Sequence, residues 1–317
     1  MRWLPLLFLL NVTPTLAQRA EAETVPLKIK TTKDGVLVQE GKRNVLFYQR
    51  EHKSQSGAFR RANYIHPLYD LDGRELTEDF PADHPHHRGI FWAWHQMWVG
   101  DKKIGDPWVA KDFSWNVRKV EVLRVNEQAV ALHLDVIWSS PLLTNQDGQE
   151  KPLVHEQTLI RIHRSENDRR MIDFRIQLTP KQNDVRIGGS EDDKGYGGFS
   201  PRIRMPSDIR FRGAGGVVEP QRTALEAGPW MSLTGTFTPD KPPSGVAILC
   251  HPTLPEFPQR WILRRSGSMQ NVAYPGRKPV PLEADKPLTL RYRLVVHRGV
   301  VSGAVVAGWQ REYAMLK

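Results

Sequence analysis

Cysteine is almost missing from this 317-residue chain. Cys250 stands alone in an apolar run over residues 245–250, so no internal disulfide can form. The fold must rest on an ordinary hydrophobic core, which a chain of this length can bury. A lone cysteine in such a run reads as a small core residue rather than a nucleophile. Long apolar runs are also missing. Beyond the N-terminus nothing approaches the roughly 20 apolar residues of a spanning helix, so no membrane span is expected in the mature chain. Charge of one sign is never gathered into a block. Lys and Arg number 45 against 35 Asp and Glu, a net charge of +10, yet no run of five or six basic residues occurs. With no nucleic-acid-binding motif either, nucleic acid is excluded as the expected partner. The positive balance favours acidic partners such as an anionic polysaccharide or an envelope surface. No G-x-S-x-G elbow, phosphate-binding loop, dinucleotide glycine fingerprint or H-E-x-x-H helix is present, which removes the chemistries those motifs serve.

What is present begins with a processing signal. Arg2 supplies a positive start, residues 3–10 an apolar stretch, and Thr15-Leu16-Ala17 a small-x-small cleavage site. Residues 1–17 therefore read as a signal peptide, and residues 18–317 as a single exported β-sandwich domain, periplasmic or extracellular.

The dominant period is two. Val130, Leu132, Leu134, Val136 and Trp138 share one face of residues 129–138, with His133 and Asp135 on the other. Residues 171–178 and 288–296 repeat the pattern, which is the signature of half-buried strands. Further strands are expected at 27–31, 35–39, 44–49, 119–125, 154–163, 245–250 and 261–265. Twenty-four glycines and twenty-four prolines, spread evenly, suit many short strands and irregular loops. Only the tail has helical spacing, with Val305, Val306, Trp309, Tyr313 and Leu316 on one stripe after Ser302. Residues 49–115 read as a long, loop-rich interval, and loops of that length in a β domain are commonly functional.

That interval carries five of the eleven histidines: His66, His84, His86, His87 and His95. Imidazole, with an unperturbed pKa of about 6.5, is both a proton carrier near neutrality and the commonest metal ligand. The core of the cluster is Asp83-His-Pro-His-His-Arg-Gly89. Pro85 within it, and Pro67 beside His66, stiffen the backbone, and Arg88 is placed to grip a carboxylate or phosphate, or to pair with Asp83. His84-x-His86 would put both rings on one side of an extended strand. Zinc or copper could then be completed by His66, Asp83 or the distant His251, although no dense ligand motif supports it. Tyr64, Tyr69, Trp92, Trp94, Trp98, Trp108 and Trp115 flank the histidines. Some must be core, but such rings also seat the apolar faces of sugars. Lys194-Gly-Tyr196-Gly-Gly198 reads as a flexible loop that brings a tyrosine to the same place, and His251-Pro252 as a second point of convergence. Of His155 and Glu156, adjacent on a strand, only one can face a common pocket.

The motifs Tyr64-Ile-His-Pro-Leu-Tyr69, Asp83-His-Pro-His-His-Arg-Gly89, Lys194-Gly-Tyr-Gly-Gly198, His251-Pro252 with Pro258-Gln-Arg-Trp261, and Arg291-Tyr-Arg-Leu-Val-Val-His297 are shared ground. Through them the chain resembles the secreted bacterial family labelled "methane oxygenase PmoA", over residues 27–300. The resemblance implies an all-β, galactose mutarotase-like antiparallel supersandwich, and a place in polysaccharide and glycoside breakdown. A jelly roll with a long insert has the same periodicity.

The expected function is that of a carbohydrate-active enzyme of epimerase, lyase or hydrolase type acting on a carbohydrate or glycoside. Two of His84, His86, His87 and His251 would serve as acid and base, with Arg88 holding a negative oxygen. Tyr64, His66, Trp92, Trp94 and Tyr196 would bind the substrate. Two alternatives stay open: a non-catalytic glycan-binding or envelope protein, and a zinc- or copper-dependent enzyme.

Overall fold

The period-two segments become the strands of one large antiparallel sheet. In the computed structural model, which describes residues 25–267 and 269–316, that sheet has nine strands. Their order is Ser114–Asn126, Ala129–Thr144, Glu150–His163, Arg169–Pro180, Leu288–Arg298, Ser244–Cys250, Trp230–Gly235, Arg210–Gly213 and Gly216–Val217. The alternation decides the faces as expected: Val130, Leu132, Leu134, Val136 and Trp138 are all buried, while His133 and Asp135 point outward. The expected signal peptide lies outside the described residues. No helix among them is long and apolar enough to cross a membrane.

A second sheet of eight strands covers the inner face of the first. Its order is Leu27–Thr31, Gly35–Glu40, Arg43–Gln49, Tyr64–Leu68, Ile90–Trp94, Gly197–Pro201, Asn271–Ala273 and Arg260–Ile262. Aromatic rings stitch the two together. Phe199 lies 4.5 Å from Tyr292 and 5.1 Å from Phe174, and Trp94 lies 5.9 Å from Trp138. Each such side chain contributes about 1.5–3 kcal/mol by leaving water. The architecture is thus the expected all-β supersandwich of two large antiparallel sheets.

The short C-terminal helix, Gly303–Ala314, starts where Ser302 accepts a hydrogen bond from the Val305 amide. Val306, Trp309 and Tyr313 pack on Trp230, Ala247, Leu249 and Val295 on the outer face of the nine-stranded sheet. Two residues of the expected stripe, Val305 and Leu316, are instead exposed. Cys250 is fully buried, and burial pushes its thiol well up.

Residues 49–115 are loop-rich as expected, but they also hold strands that the sequence did not show: Tyr64–Leu68 and Ile90–Trp94 lie in the middle of the eight-stranded sheet, and Gln96–Val99 belongs to a small four-stranded sheet. The physical reason is double burial. Ile90, Trp92 and Trp94 face the intersheet core, while Phe91 and Ala93 are covered from outside by Tyr64, Trp108 and Met269. A strand buried on both faces shows no alternation to read.

Candidate functional site

The histidine segment sits on that outer cover. Two successive turns build it, with the His84 amide bonded to the Pro81 carbonyl and the His87 amide to the His84 carbonyl. Gly89 ends it at φ +37°, where an added Cβ would lie 1.9 Å from the Ile65 carbonyl oxygen. No other residue fits there. The backbone at His84 and His86 is therefore turned, not extended, and the expected same-side H-x-H arrangement is replaced by a packed trio. The His84 and His87 rings stack at 4.7 Å, and His86 meets them edge-on at 5.7 and 4.5 Å.

Arg88 does not face a ligand. It is completely buried, and its Nε donates to Asp79 at 2.5 Å. The rest of the guanidinium donates to the Phe59 carbonyl at 2.9 Å and the Tyr64 hydroxyl at 2.6 Å, beneath the Phe80 ring at 3.5 Å. It clamps the turns to the strand beneath, so neither the oxyanion role nor the pairing with Asp83 describes it.

Asp83 turns instead to His84. Its Oδ2 lies 2.7 Å from His84 Nδ1, and Arg202 grips both its oxygens at 2.7 and 3.1 Å. Burial raises the Asp83 carboxyl, but the hydrogen bonds from Arg202 and His84 outweigh it and hold it down at about 2. A second pair of the same kind stands nearby. His95 Nδ1 lies 2.9 Å from Asp106 Oδ2, while Asp106 Oδ1 accepts from the amides of Trp108 and Val109. In both pairs the carboxylate takes Nδ1 and leaves Nε2, the nitrogen farthest from the backbone. His86 feels both pairs: burial first, then the charges of His84, Arg61 and His95, hold it down at about 4, so it is neutral at pH 7. His87 is held at about 2 by burial and then by the charges of His86, His84 and Arg202.

Trp108 is the hub. Its ring lies 5.2 Å from His95, 6.0 Å from His87, 5.7 Å from Tyr196 and 5.3 Å from Phe91. Buried Arg61 fixes it from behind, donating to the carbonyls of Pro107 and Trp108 at 2.5 and 3.0 Å. In front, His84 and Tyr196 line an open cleft of about 620 Å³ with Lys194, Arg222, Arg264 and Arg265. Tyr196 is not on a free loop: it abuts the strand Gly197–Pro201, and Arg264 donates to its hydroxyl at 2.5 Å.

The remaining expected residues lie elsewhere. Trp92 and Trp94 are core, at 1% and 0% exposure, and the Trp94 indole donates to the Tyr274 carbonyl at 2.7 Å. Tyr64 is buried with its hydroxyl between Arg88 and Asp79. His66 bonds Thr77 at 3.1 Å, and burial lowers it to about 4. His251 spends both ring nitrogens, on Thr253 at 2.8 Å and the Leu316 carbonyl at 2.9 Å, against the C-terminal helix. Glu156 points into the intersheet core, bonded to Asn63, Thr158 and Trp138, while His155 faces outward. Sequence reasoning therefore missed Asp106, Arg202, Arg264 and the central place of Trp108. Their only signal was distance in space, which spacing does not encode.

Among the described residues no group of three or more His, Cys, Asp or Glu side chains is arranged to hold a metal ion. The trio shows why: the His84 and His87 planes are 3° from parallel, so their in-plane lone pairs cannot converge on one point.

No curated protein matches the chain. Among solved structures it is similar to the crystal structure of the GalM/aldose epimerase homologue from C. elegans. The two share 8% identity over 88% of this chain and 100% of that one, with a TM-score of 0.33. The family resemblance drawn from the motifs is overturned, because nothing in the comparisons carries the PmoA or methane oxygenase label. The model that matches, over residues 35–310, is that of the Family of unknown function (DUF6807), and the chain belongs to that family.

Proposed function

We propose that the protein is an exported carbohydrate-processing enzyme in which His84 and His95 carry out general acid–base chemistry. The observation that carries this reading is the pair of carboxylate-held imidazoles, His84 on Asp83 and His95 on Asp106, each with Nδ1 engaged and Nε2 left over. A carboxylate on Nδ1 fixes the tautomer, so that Nε2 of the neutral ring accepts a proton and the imidazolium formed is stabilised. One such ring removes a proton beside a carbonyl or anomeric centre. The other delivers one to an oxygen. Neutral His86, 5.7 Å from the His84 ring and within reach of the His95 charge, holds a hydroxyl without competing for the proton. Tyr196, braced by Arg264, offers the sugar a flat surface at the cleft wall, and the cationic rim suits developing negative charge on oxygen.

Epimerisation, elimination and hydrolysis of glycosides all use this pairing. The test incubates the protein with a panel of reducing sugars, glycosides and uronides, with products read by NMR and mass spectrometry. Turnover that falls by about 10²-fold or more in both His84→Gln and His95→Gln supports the reading. Saturable glycan binding with no product from any substrate would replace it with a non-catalytic binding protein.

A further inference from the structure

A smaller cleft opens on the outer face of the nine-stranded sheet, beside the start of the C-terminal helix. Its volume is about 320 Å³, and it shares no lining residue with the histidine cleft. Two neighbouring strands, Arg210–Gly213 and Trp230–Gly235, form its floor. Arg210 and Arg212 stand two residues apart, so their side chains rise from one face with backbone stems about 7 Å apart. Each faces a hydroxyl across the ladder, Arg210 opposite Thr234 and Arg212 opposite Ser232, and all four line the cleft. The Arg212–Ser232 end is the deeper one: Ser232 is 3% exposed and Arg212 half-buried, whereas Arg210 is exposed. Asp208, the one carboxylate in the lining among the described residues, sits at the outer end. It accepts hydrogen bonds from the Thr236 amide and hydroxyl at 2.9 and 2.7 Å, and the charge of Arg210 reaches it without an ion pair.

The deeper end is built of donors that lack acceptors. Among the described residues neither guanidinium makes an ion pair or a hydrogen bond, and neither the Ser232 nor the Thr234 hydroxyl has a partner. An unpartnered hydroxyl on a buried residue costs free energy unless something outside the chain bonds it. The helix adds to the imbalance. Val300 and Val301 run from the lining into its cap, and a Cβ added at Gly303 would lie 3.5 Å from Arg212 Cδ and 3.9 Å from its Nη1. The first turn holds no acidic residue, and Ser302 answers only the Val305 amide with its side chain. A helix start carries partial positive charge and orphan amides, so a guanidinium beside it is repelled.

We infer that this cleft binds an organic monoester of phosphate or sulfate, with the tetrahedral oxyanion seated between Arg212, Ser232 and the start of the helix. Such an anion pairs with the guanidinium, gives the Ser232 hydroxyl an acceptor and neutralises the helix end. Donors reaching in from the sheet and from the helix suit a group with three oxygens in three directions better than a planar carboxylate with two. The volume lies at the lower end of the range for small-molecule sites, which leaves room for a body beyond the anion. Val217 and Val300, both exposed, offer that body an apolar wall.

Titration calorimetry at low salt tests this with phenyl phosphate, phenyl sulfate, benzoate and phenol as separate probes. One equivalent of at least one ester should bind, and the tighter of the two identifies the anion. Benzoate should bind at least about tenfold more weakly, and phenol should not bind. Arg212→Gln should weaken the ester by at least about tenfold, and Ser232→Ala by about fivefold, the worth of one hydrogen bond. Arg222→Gln, on the rim of the histidine cleft, should leave binding intact, which separates the two places. Because Arg212→Gln removes a cation from a helix start, it should melt no lower than the wild type without ligand, so its lost binding reads the site and not the fold. Failure of both esters to bind, binding that ignores both Arg212→Gln and Ser232→Ala or falls with Arg222→Gln instead, and benzoate or phenol binding as tightly as an ester would each overturn the assignment.

Discussion

Among the described residues four histidines hold a carboxylate, and they do so in two opposite ways. On the turns outside the eight-stranded sheet, His84 and His95 meet Asp83 and Asp106 through Nδ1. On the open face of the nine-stranded sheet, His155 and His163 meet Asp135 and Asp173 through Nε2, at 3.0 Å each. The difference follows from the backbone. A strand holds its side chains upright beside those of its neighbours, so the tip of the ring reaches a carboxylate on the next strand and is consumed there. At His84 a tight turn sets the Asp83 carboxylate alongside the base of the ring, and at His95 the folded-back Asp106 reaches the same nitrogen, so the tip is left over in both. The same two residue types therefore spend the ring's tip in one place and, in the proposed function, offer it as a proton carrier in the other.

The largest expected effect breaks the turns themselves. Arg88→Met removes the cation that Asp79 and the Tyr64 hydroxyl share in a fully buried setting. Breaking one side of a buried pair costs about 3–5 kcal/mol; here the half-exposed Lys53 stays 2.7 Å from the other Asp79 oxygen, so the loss should fall towards the lower end of that range. Urea unfolding of the variant should show that loss. A loss below about 1 kcal/mol would place the pair among surface ion pairs and return Arg88 to candidacy as a ligand residue.

Next comes the comparison of activities. His84→Gln and His95→Gln should each lower turnover by about 10²-fold or more, whereas His155→Gln and His163→Gln should stay within about twofold of wild type. Equal losses in all four would mean that ring orientation does not distinguish the two regions.

The sequence shows part of this. Alternation at Val130, Leu132, Leu134, Val136 and Trp138 is enough to place that strand and its inner face, because only one face is dry. The strand Ile90–Trp94 hides for the opposite reason, and its tryptophans look like a sugar platform because core and platform draw on the same residues. Asp83 and His84 are legible as neighbours in the chain. Asp106 is not, since it reaches His95 only after the intervening hairpin has folded back. His251 misleads: it ends a strand beside a proline, as a site residue does, yet the helix that takes up its ring could not be placed from spacing alone.

Acid sharpens the comparison further. Burial lowers His52, His66 and His86 to about 4 and His87 to about 2. A histidine lowered on folding stays neutral in the native state while the unfolded chain takes up a proton. Stability should therefore fall as pH drops from about 6.5 towards 4, the unfolded state binding more protons throughout that window. For the partly exposed rings the slope lies well under the roughly 1.4 kcal/mol per pH unit of a fully coupled proton. Asp83 adds its own loss below the ordinary carboxylate range, as pH falls towards its value of about 2. Denaturant melts from pH 7 to 4 should show a shallower decline in His87→Gln than in wild type; an identical decline would remove His87 from this account.

The smallest effect belongs to the open sheet. The His155–Asp135 pair is partly exposed on both sides, at 24% and 35%. Water and salt screen its attraction, and ordering two side chains offsets much of what remains. A double-mutant cycle with His155→Gln and Asp135→Asn should therefore give a coupling of at most about 1 kcal/mol, fading further in 1 M salt. His95 and Asp106 are nearly as exposed, at 22% and 24%, so the same cycle on that pair should give a coupling of similar size. The single variants should differ instead. Asp106 also caps the Trp108 and Val109 amides, a contribution that the cycle cancels, so Asp106→Ala alone should cost more stability than Asp135→Ala. Equal losses in the two would show that these caps do not hold the loop that carries the tryptophan hub.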